Sequence, residues 1–158
     1  MAEVELLFLQ GTTLLRDGHV TDAIPYLEQA YELQPSDVDV AINLSGAYIL
    51  TKKFQKAVKI LESAVSEEPD HAMVWINLGA AYLGNPVLAR DEEQKRAIAA
   101  FERALTIDPV AHSVAYNIGL IYRDRHEKGE AIHWMRQAVK HNPNDRDARN
   151  LLNRLEAT

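Results

Sequence analysis

Three asparagines recur at matched places in this chain of 158 residues. Asn43, Asn77 and Asn117 each stand two positions before a small residue, namely Ser45, Gly79 and Gly119. A carboxamide carries two N–H donors and a carbonyl acceptor, so a row of them can pair with the amides of another backbone whatever its side chains. This is hydrogen-bonding chemistry, not bond-making chemistry. For the latter the sequence offers little: it has no glycine-rich phosphate loop, no G-x-S-x-G, no H-E-x-x-H and no acidic calcium loop. It has no cysteine, which excludes disulfides, thiolate catalysis and zinc–thiolate sites. His19, His71, His112, His126, His133 and His141 are scattered without ligand spacing, so solvated or turn roles fit them better than a metal site. Met73 and Met135 fall on helical spacing and read as core or groove fillers. No enzymatic activity, cofactor or metal is expected.

The elements that must carry the asparagines are clearest from Trp75 to Pro109. Trp75, Leu78 and Tyr82 share one face of a helix, and Ala97, Phe101 and Ala104 share one face of a second. Gly79 lets the two helices approach closely, and Pro109 stops the second. The same pattern recurs along the chain. Pro35, Pro69, Pro109 and Pro143 are spaced by 34, 40 and 34 residues, and so are Ala23, Ala57, Ala97 and Ala131. Ala30, Ala64, Ala104 and Ala138 repeat those intervals. With W-x-x-L-G-x-x-Y at Trp75 to Tyr82, the chain resembles the tetratricopeptide repeat family over nearly its whole length. The resemblance implies an all-α fold, a right-handed α-solenoid of antiparallel helix pairs, and a protein-binding role.

On this reading residues 1–158 form one domain. Its repeats cover about 4–37, 38–71, 72–111 and 112–144, followed by a capping helix at about 145–156. Asp17-Gly18-His19 turns repeat one, and Lys128-Gly129-Glu130 is expected to turn repeat four. Repeat three is irregular. Tyr82 and Ala97 are 15 positions apart, whereas Leu14 and Ala23, Tyr48 and Ala57, and Tyr122 and Ala131 are each 9 apart. Six residues are therefore inserted near 84–90, where Gly84-Asn85-Pro86 is a stop followed by a start. Either the second helix extends toward Pro86 or a short extra turn precedes it, and the polar run from Arg90 to Arg96 projects beyond the edge. In the tail, Ala148, Leu151, Leu152 and Leu155 make one apolar stripe that covers the last open face. The first helix has no comparable cover, so Leu6 and its apolar neighbours are left exposed or meet another chain.

The resemblance places the asparagine register on the inner, concave side, with repeat one breaking the row at Leu9. Two roles are open. The carboxamides pair with the backbone of a bound peptide, or they bridge adjacent repeats and brace the stack. Neighbouring helices lie about 10 Å apart and an extended chain rises about 3.3 Å per residue, so one asparagine would meet roughly every third ligand residue. The expected peptide-contacting set is Asn43, Asn77 and Asn117 with Phe8, Ile42, Met73, Ile76, Tyr116, Leu120 and Arg123. Glu5 and Asp39 line one edge of this apolar groove, which suits an amphipathic or aliphatic segment with a basic flank. Family members that clamp the C-terminal carboxylate of heat-shock chaperones need lysine and asparagine in the first repeat, and lysine and arginine in the third. Phe8, Thr12, Met73 and Asn77 stand there, so that function is disfavoured.

With 17 basic against 23 acidic side chains, the net charge of −6 opposes nucleic acid and acidic membranes. No stretch approaches the ~18 apolar residues of a membrane span, and the start MAEVELLFLQG does not resemble an export signal. A cytoplasmic address is the resulting expectation. The expected function is a non-catalytic scaffold or adaptor that holds a peptide or helix of a partner protein in its groove. The alternative is a self-assembling structural protein with head-to-tail contacts between copies, a homo-oligomer that closes or propagates.

Overall fold

Helical periodicity governs the chain from end to end. The computed structural model describes residues 2–157 and, among them, contains nine helices and no strand. Four antiparallel pairs follow one another: α1 (Glu3–Arg16) with α2 (Val20–Leu33), α3 (Val38–Leu50) with α4 (Phe54–Glu67), α5 (Ala72–Leu83) with α6 (Asp91–Ile107), and α7 (Val114–Asp124) with α8 (Lys128–His141). A last helix, α9 (Arg146–Ala157), packs on α8. Each pair packs internally and on the next. The first helices also touch one another, α1 with α3 and α3 with α5, more than the second helices do. That closer spacing curves the array with the first helices on the inside.

The small residues set the distance within each pair. A Cβ on Gly11 would lie 2.7 Å from Leu27, one on Gly79 2.7 Å from Phe101, and one on Gly119 2.6 Å from Met135. Those three side chains therefore lie directly against the glycine backbones. Ser45, at the same register, is wholly buried and turns its hydroxyl back to the Ile42 carbonyl at 3.0 Å. Ala23, Ala57, Ala97 and Ala131 are also wholly buried. At the far end Ala148 and Leu151 of α9 are buried, with Ala148 joining Ala115 and Ala138, so the tail covers the last pair as its stripe requires.

The turns between paired helices place one residue in the left-handed region: Gly18 (φ 85°), Lys52 (φ 63°) and His126 (φ 60°). Repeat four differs from expectation here, because Gly129 lies inside α8 and His126 carries the strained backbone. The second helices α2, α4 and α8 each begin three residues before their first buried alanine, and that register fixes the turn at His126.

The insert adopts both expected forms at once. α6 begins six residues before Ala97, so it is three residues longer at its start than its counterparts. The other three extra residues fold into a separate turn. The Asn85 carbonyl accepts from the Leu88 and Ala89 amides at 3.0 Å, and its side-chain oxygen accepts from the Val87 amide at 3.0 Å. The start of α6 does not project freely. Arg125 at the end of α7 donates to Asp91 at 2.7 Å and to Gln94 at 3.1 Å, tying the extra turn to the next repeat.

Candidate functional site: the inner face of the first helices

The three asparagines share a register but not a role. Asn77 donates to the Ile42 carbonyl at 3.2 Å and to the Ser45 hydroxyl at 3.3 Å, so it bridges α5 to α3. Asn43 donates to the Asp39 carbonyl one turn back in its own helix, at 2.8 Å. Asn117 is half-buried and has no side-chain hydrogen bond among the described residues. Its difference from Asn77 has a physical cause. α5 packs on α3, which brings Asn77 to the Ile42 carbonyl and the Ser45 hydroxyl, whereas α7 packs on α6 and α8 and touches α5 less, and the residue that corresponds to Ser45 there is Gly79, which has no hydroxyl.

The apolar members of the set double as the upper surface of the core. Phe8 and Ile42 are half-buried against the cluster built from the first three pairs. Ile76 packs on the cluster of Phe101, Val114 and Ile118, and Tyr116 on that of Ala115, Ala138 and Ala148. Leu120 is half-buried, while Met73 and Arg123 are exposed. Arg123 is turned to its neighbour Asp124, donating to it at 2.9 Å. The apolar members thus pack on three separate clusters, and of the three carboxamides only that of Asn117 is unengaged among the described residues, with Leu120 and Arg123 further along the same helix.

A second set of polar contacts, not anticipated from the sequence, joins successive pairs. The Tyr48 hydroxyl donates to Glu28 at 2.6 Å and the Tyr82 hydroxyl to Glu62 at 3.2 Å, each across 20 positions. Burial first, and then Glu28, push the Tyr48 phenol well above its ordinary range. Burial and Glu62 raise Tyr82 as well. Tyr122 is raised by burial and by Glu102, again 20 positions earlier. Between Arg136 and Glu156 the spacing recurs with an ion pair at 3.4 Å. A tyrosine 20 residues after a glutamate, in three consecutive repeats, was the signal available in the sequence.

A cavity of about 590 Å³ lies between α4, α5 and the start of α6. Val58, Ala81 and Tyr82 line it, beneath a rim of charged side chains that pair among themselves: Arg90 with Glu93 at 3.4 Å and Arg96 with Glu92 at 3.1 Å. Glu93 is held below the usual carboxylate range by a backbone amide and Arg90, and Asp91 by Lys95 and Arg125. These acids remain ionised and the Tyr82 phenol remains protonated near neutral pH, so none of them is poised to exchange a proton there. Among the described residues no three histidine, cysteine or acidic side chains gather as metal ligands do. No described helix is long and apolar enough to cross a membrane.

An array of helix pairs with an exposed inner face and a capped end defines an α-solenoid, the architecture of a protein-interaction scaffold. Residues 14–82 and residues 94–147 each match the tetratricopeptide repeat family. The chain belongs to that family. Solved structures agree on the fold. MamA from Desulfovibrio magneticus RS-1, from its residue 41 onward, superposes with a TM-score of 0.83 at 20% identity, over 99% of this chain and 85% of that one. TTC0263, a thermophilic tetratricopeptide protein of Thermus thermophilus, gives 0.79 at 20% identity over 99% and 82%. A chain of the APC/C hetero-tetramer Cut9–Hcn1 gives 0.80 at 24% identity, over 94% of this chain and 29% of that one. No curated protein sequence matches.

Proposed function

We propose that this protein is a non-catalytic scaffold that holds an extended or helical segment of a partner protein against the inner face of α3, α5 and α7. The observation that carries the reading is Asn117, whose carboxamide has no partner among the described residues and is flanked in sequence by Tyr116. A half-buried amide facing solvent beside apolar side chains gains most from a ligand backbone that supplies both a donor and an acceptor. Phe8, Ile42, Met73, Ile76 and Leu120 provide the apolar contact, and Arg123 a cation near the end of α7. The net charge of −6 disfavours nucleic acid as the ligand. The Cut9–Hcn1 hetero-tetramer, in which a chain of this fold sits among protein partners, supports the same class of ligand.

Asn43 and Asn77 enter the proposal differently from Asn117, because each already holds a bond. Peptides selected by display against the whole chain provide the probe. The substitution Asn117→Ala is expected to weaken their binding about tenfold, the worth of one well-placed hydrogen bond, with the thermal melt unchanged. Asn77→Ala is expected to lower the melt. Selected peptides that bind the Asn117→Ala variant as well as the parent would remove the asparagine from the site.

A further inference from the structure

Two exposed faces of the molecule carry apolar side chains together with charges of opposite sign, and they lie on different elements. The first is the exposed side of α1, where Leu6 and Leu9 are about half exposed and Glu3 and Glu5 stand beside them. Glu3 has no cationic partner among the described residues. The second is the insert, where Val87 is 90% and Leu88 75% exposed. These are the most exposed large apolar side chains in the described chain, yet the Asn85 hydrogen bonds hold their turn in a fixed shape. The turn lies beside the start of α4, since a Cβ on Gly84 would lie 3.4 Å from the Phe54 ring. Lys52 and Lys53 immediately precede that ring, and neither has an acidic partner among the described residues. The acids that follow the turn, Asp91, Glu92 and Glu93, are already paired with Lys95 and Arg125, with Arg96 and with Arg90, which leaves Lys52 and Lys53 as the unpaired charges near the apolar knob.

We infer that the α1 face of one copy docks on the insert knob of a second copy, Leu6 and Leu9 against Val87 and Leu88, with Glu3 and Glu5 opposite Lys52 and Lys53. Each face supplies what the other lacks: apolar surface is removed from water on both sides, and unpaired charges gain opposite partners. An acidic apolar face cannot match itself in this way, and neither can a basic one, so the contact is heterologous. Each copy both gives and receives, and the assembly closes into a ring or runs on as a filament. The last helix is a weaker recipient. Arg146, Arg149 and Arg154 give α9 positive charge, but its exposed face carries no large apolar side chain. The inference can be told apart from peptide capture on the inner face: Leu9 and Glu5 share that side of α1, but the knob at Val87 and Leu88 lies outside that face, and Asn117→Ala should leave association between copies unchanged.

The test is sedimentation of the whole chain from about 1 to 500 µM, since a contact of this size sits at the weak end of specific interfaces. The parent is expected to associate reversibly, less so as salt is raised. The variant L6Q/L9Q should be monomeric and so should V87S/L88S, because each lacks one half of the contact. Mixed in equal amounts they should form a dimer that grows no further, since one copy can still receive and the other can still give. Reversal of charge provides a separate arm: E3K/E5K and K52E/K53E each shift the association midpoint upward at least about tenfold, and the fourfold exchange restores it. A parent that stays monomeric at all concentrations overturns the inference. So do association that survives V87S/L88S, a mixture that remains monomeric, and loss of association on R146E/R149E in place of K52E/K53E.

Discussion

The hydroxyl of Tyr48 donates to the carboxylate of Glu28 at 2.6 Å across the boundary between the first two repeats. Both side chains leave water together, and Lys56 lies over the phenol ring at 5.6 Å to its centroid. A hydrogen bond to a charged acceptor is worth more than a neutral one. Tyr48→Phe keeps the ring and the cation above it but loses the bond, and is expected to cost about 1–2 kcal/mol in urea unfolding. The matching change Tyr82→Phe should cost less, because its bond is longer, at 3.2 Å, and exposed.

The same tyrosines set the alkaline limit of stability. Burial and the nearby glutamates raise their folded-state pKa values. A group raised on folding contributes stability that is fully present below its unfolded value, about 10 for tyrosine, and is lost as pH climbs toward the folded value. The melting temperature of the parent should therefore fall above about pH 10, and Tyr48→Phe should flatten that fall. Thermal melts of the two proteins, recorded on either side of that pH, check the slope.

Glycines of the first helices divide by what faces them. Gly79 has Phe101 at 2.7 Å from where a Cβ would sit, while Gly46 has nothing within 4 Å. Gly79→Ala forces the Phe101 ring off its seat and is expected to destabilise by about 1–3 kcal/mol. Gly46→Ala adds helix propensity without a clash and should stabilise by up to about 1 kcal/mol. Opposite signs in denaturant titrations of the two variants are the expected result.

Helix starts and turns give a third pair. Asp37 caps α3 by accepting from the Asp39 amide at 2.9 Å and the Val40 amide at 3.2 Å. His71 stands at the same place before α5, caps nothing, and leaves its Nδ1 buried without a partner. His71→Asp should restore the cap and add about 1 kcal/mol. Lys52→Gly removes a side chain from a left-handed backbone and should add a similar amount, about 1 kcal/mol, read by the shift in urea midpoint.

Much of this architecture is legible in the sequence because a solenoid is nearly one-dimensional. The columns of Ala23, Ala57, Ala97 and Ala131, and the small residues that face Leu27, Phe101 and Met135, mark close contacts at a fixed interval. The insert could be located by counting, and the cover helix by its stripe. What escaped depends on pairs of residues in different repeats. Asn77 and Asn117 look alike alone and part company because α5 packs on α3 while α7 packs on α6 and α8. Glu28 and Tyr48 meet across a boundary that a repeat-by-repeat alignment cuts through. Gly129 reads as a turn, but the register of α8 on Ala131 places the left-handed residue at His126.

If the inner face of the first helices grips another polypeptide, site-specific photo-cross-linking in source cells will report it. A cross-linking residue at Ile42 or at Leu120 lies on that face, and one at Ser63 or His133 lies on an exposed side of the second helices. One shared protein adduct is expected from the two inner positions, and the outer positions should not give it. Adducts equally strong from Ser63 and His133, or none from Ile42 and Leu120, would contradict the gripping role.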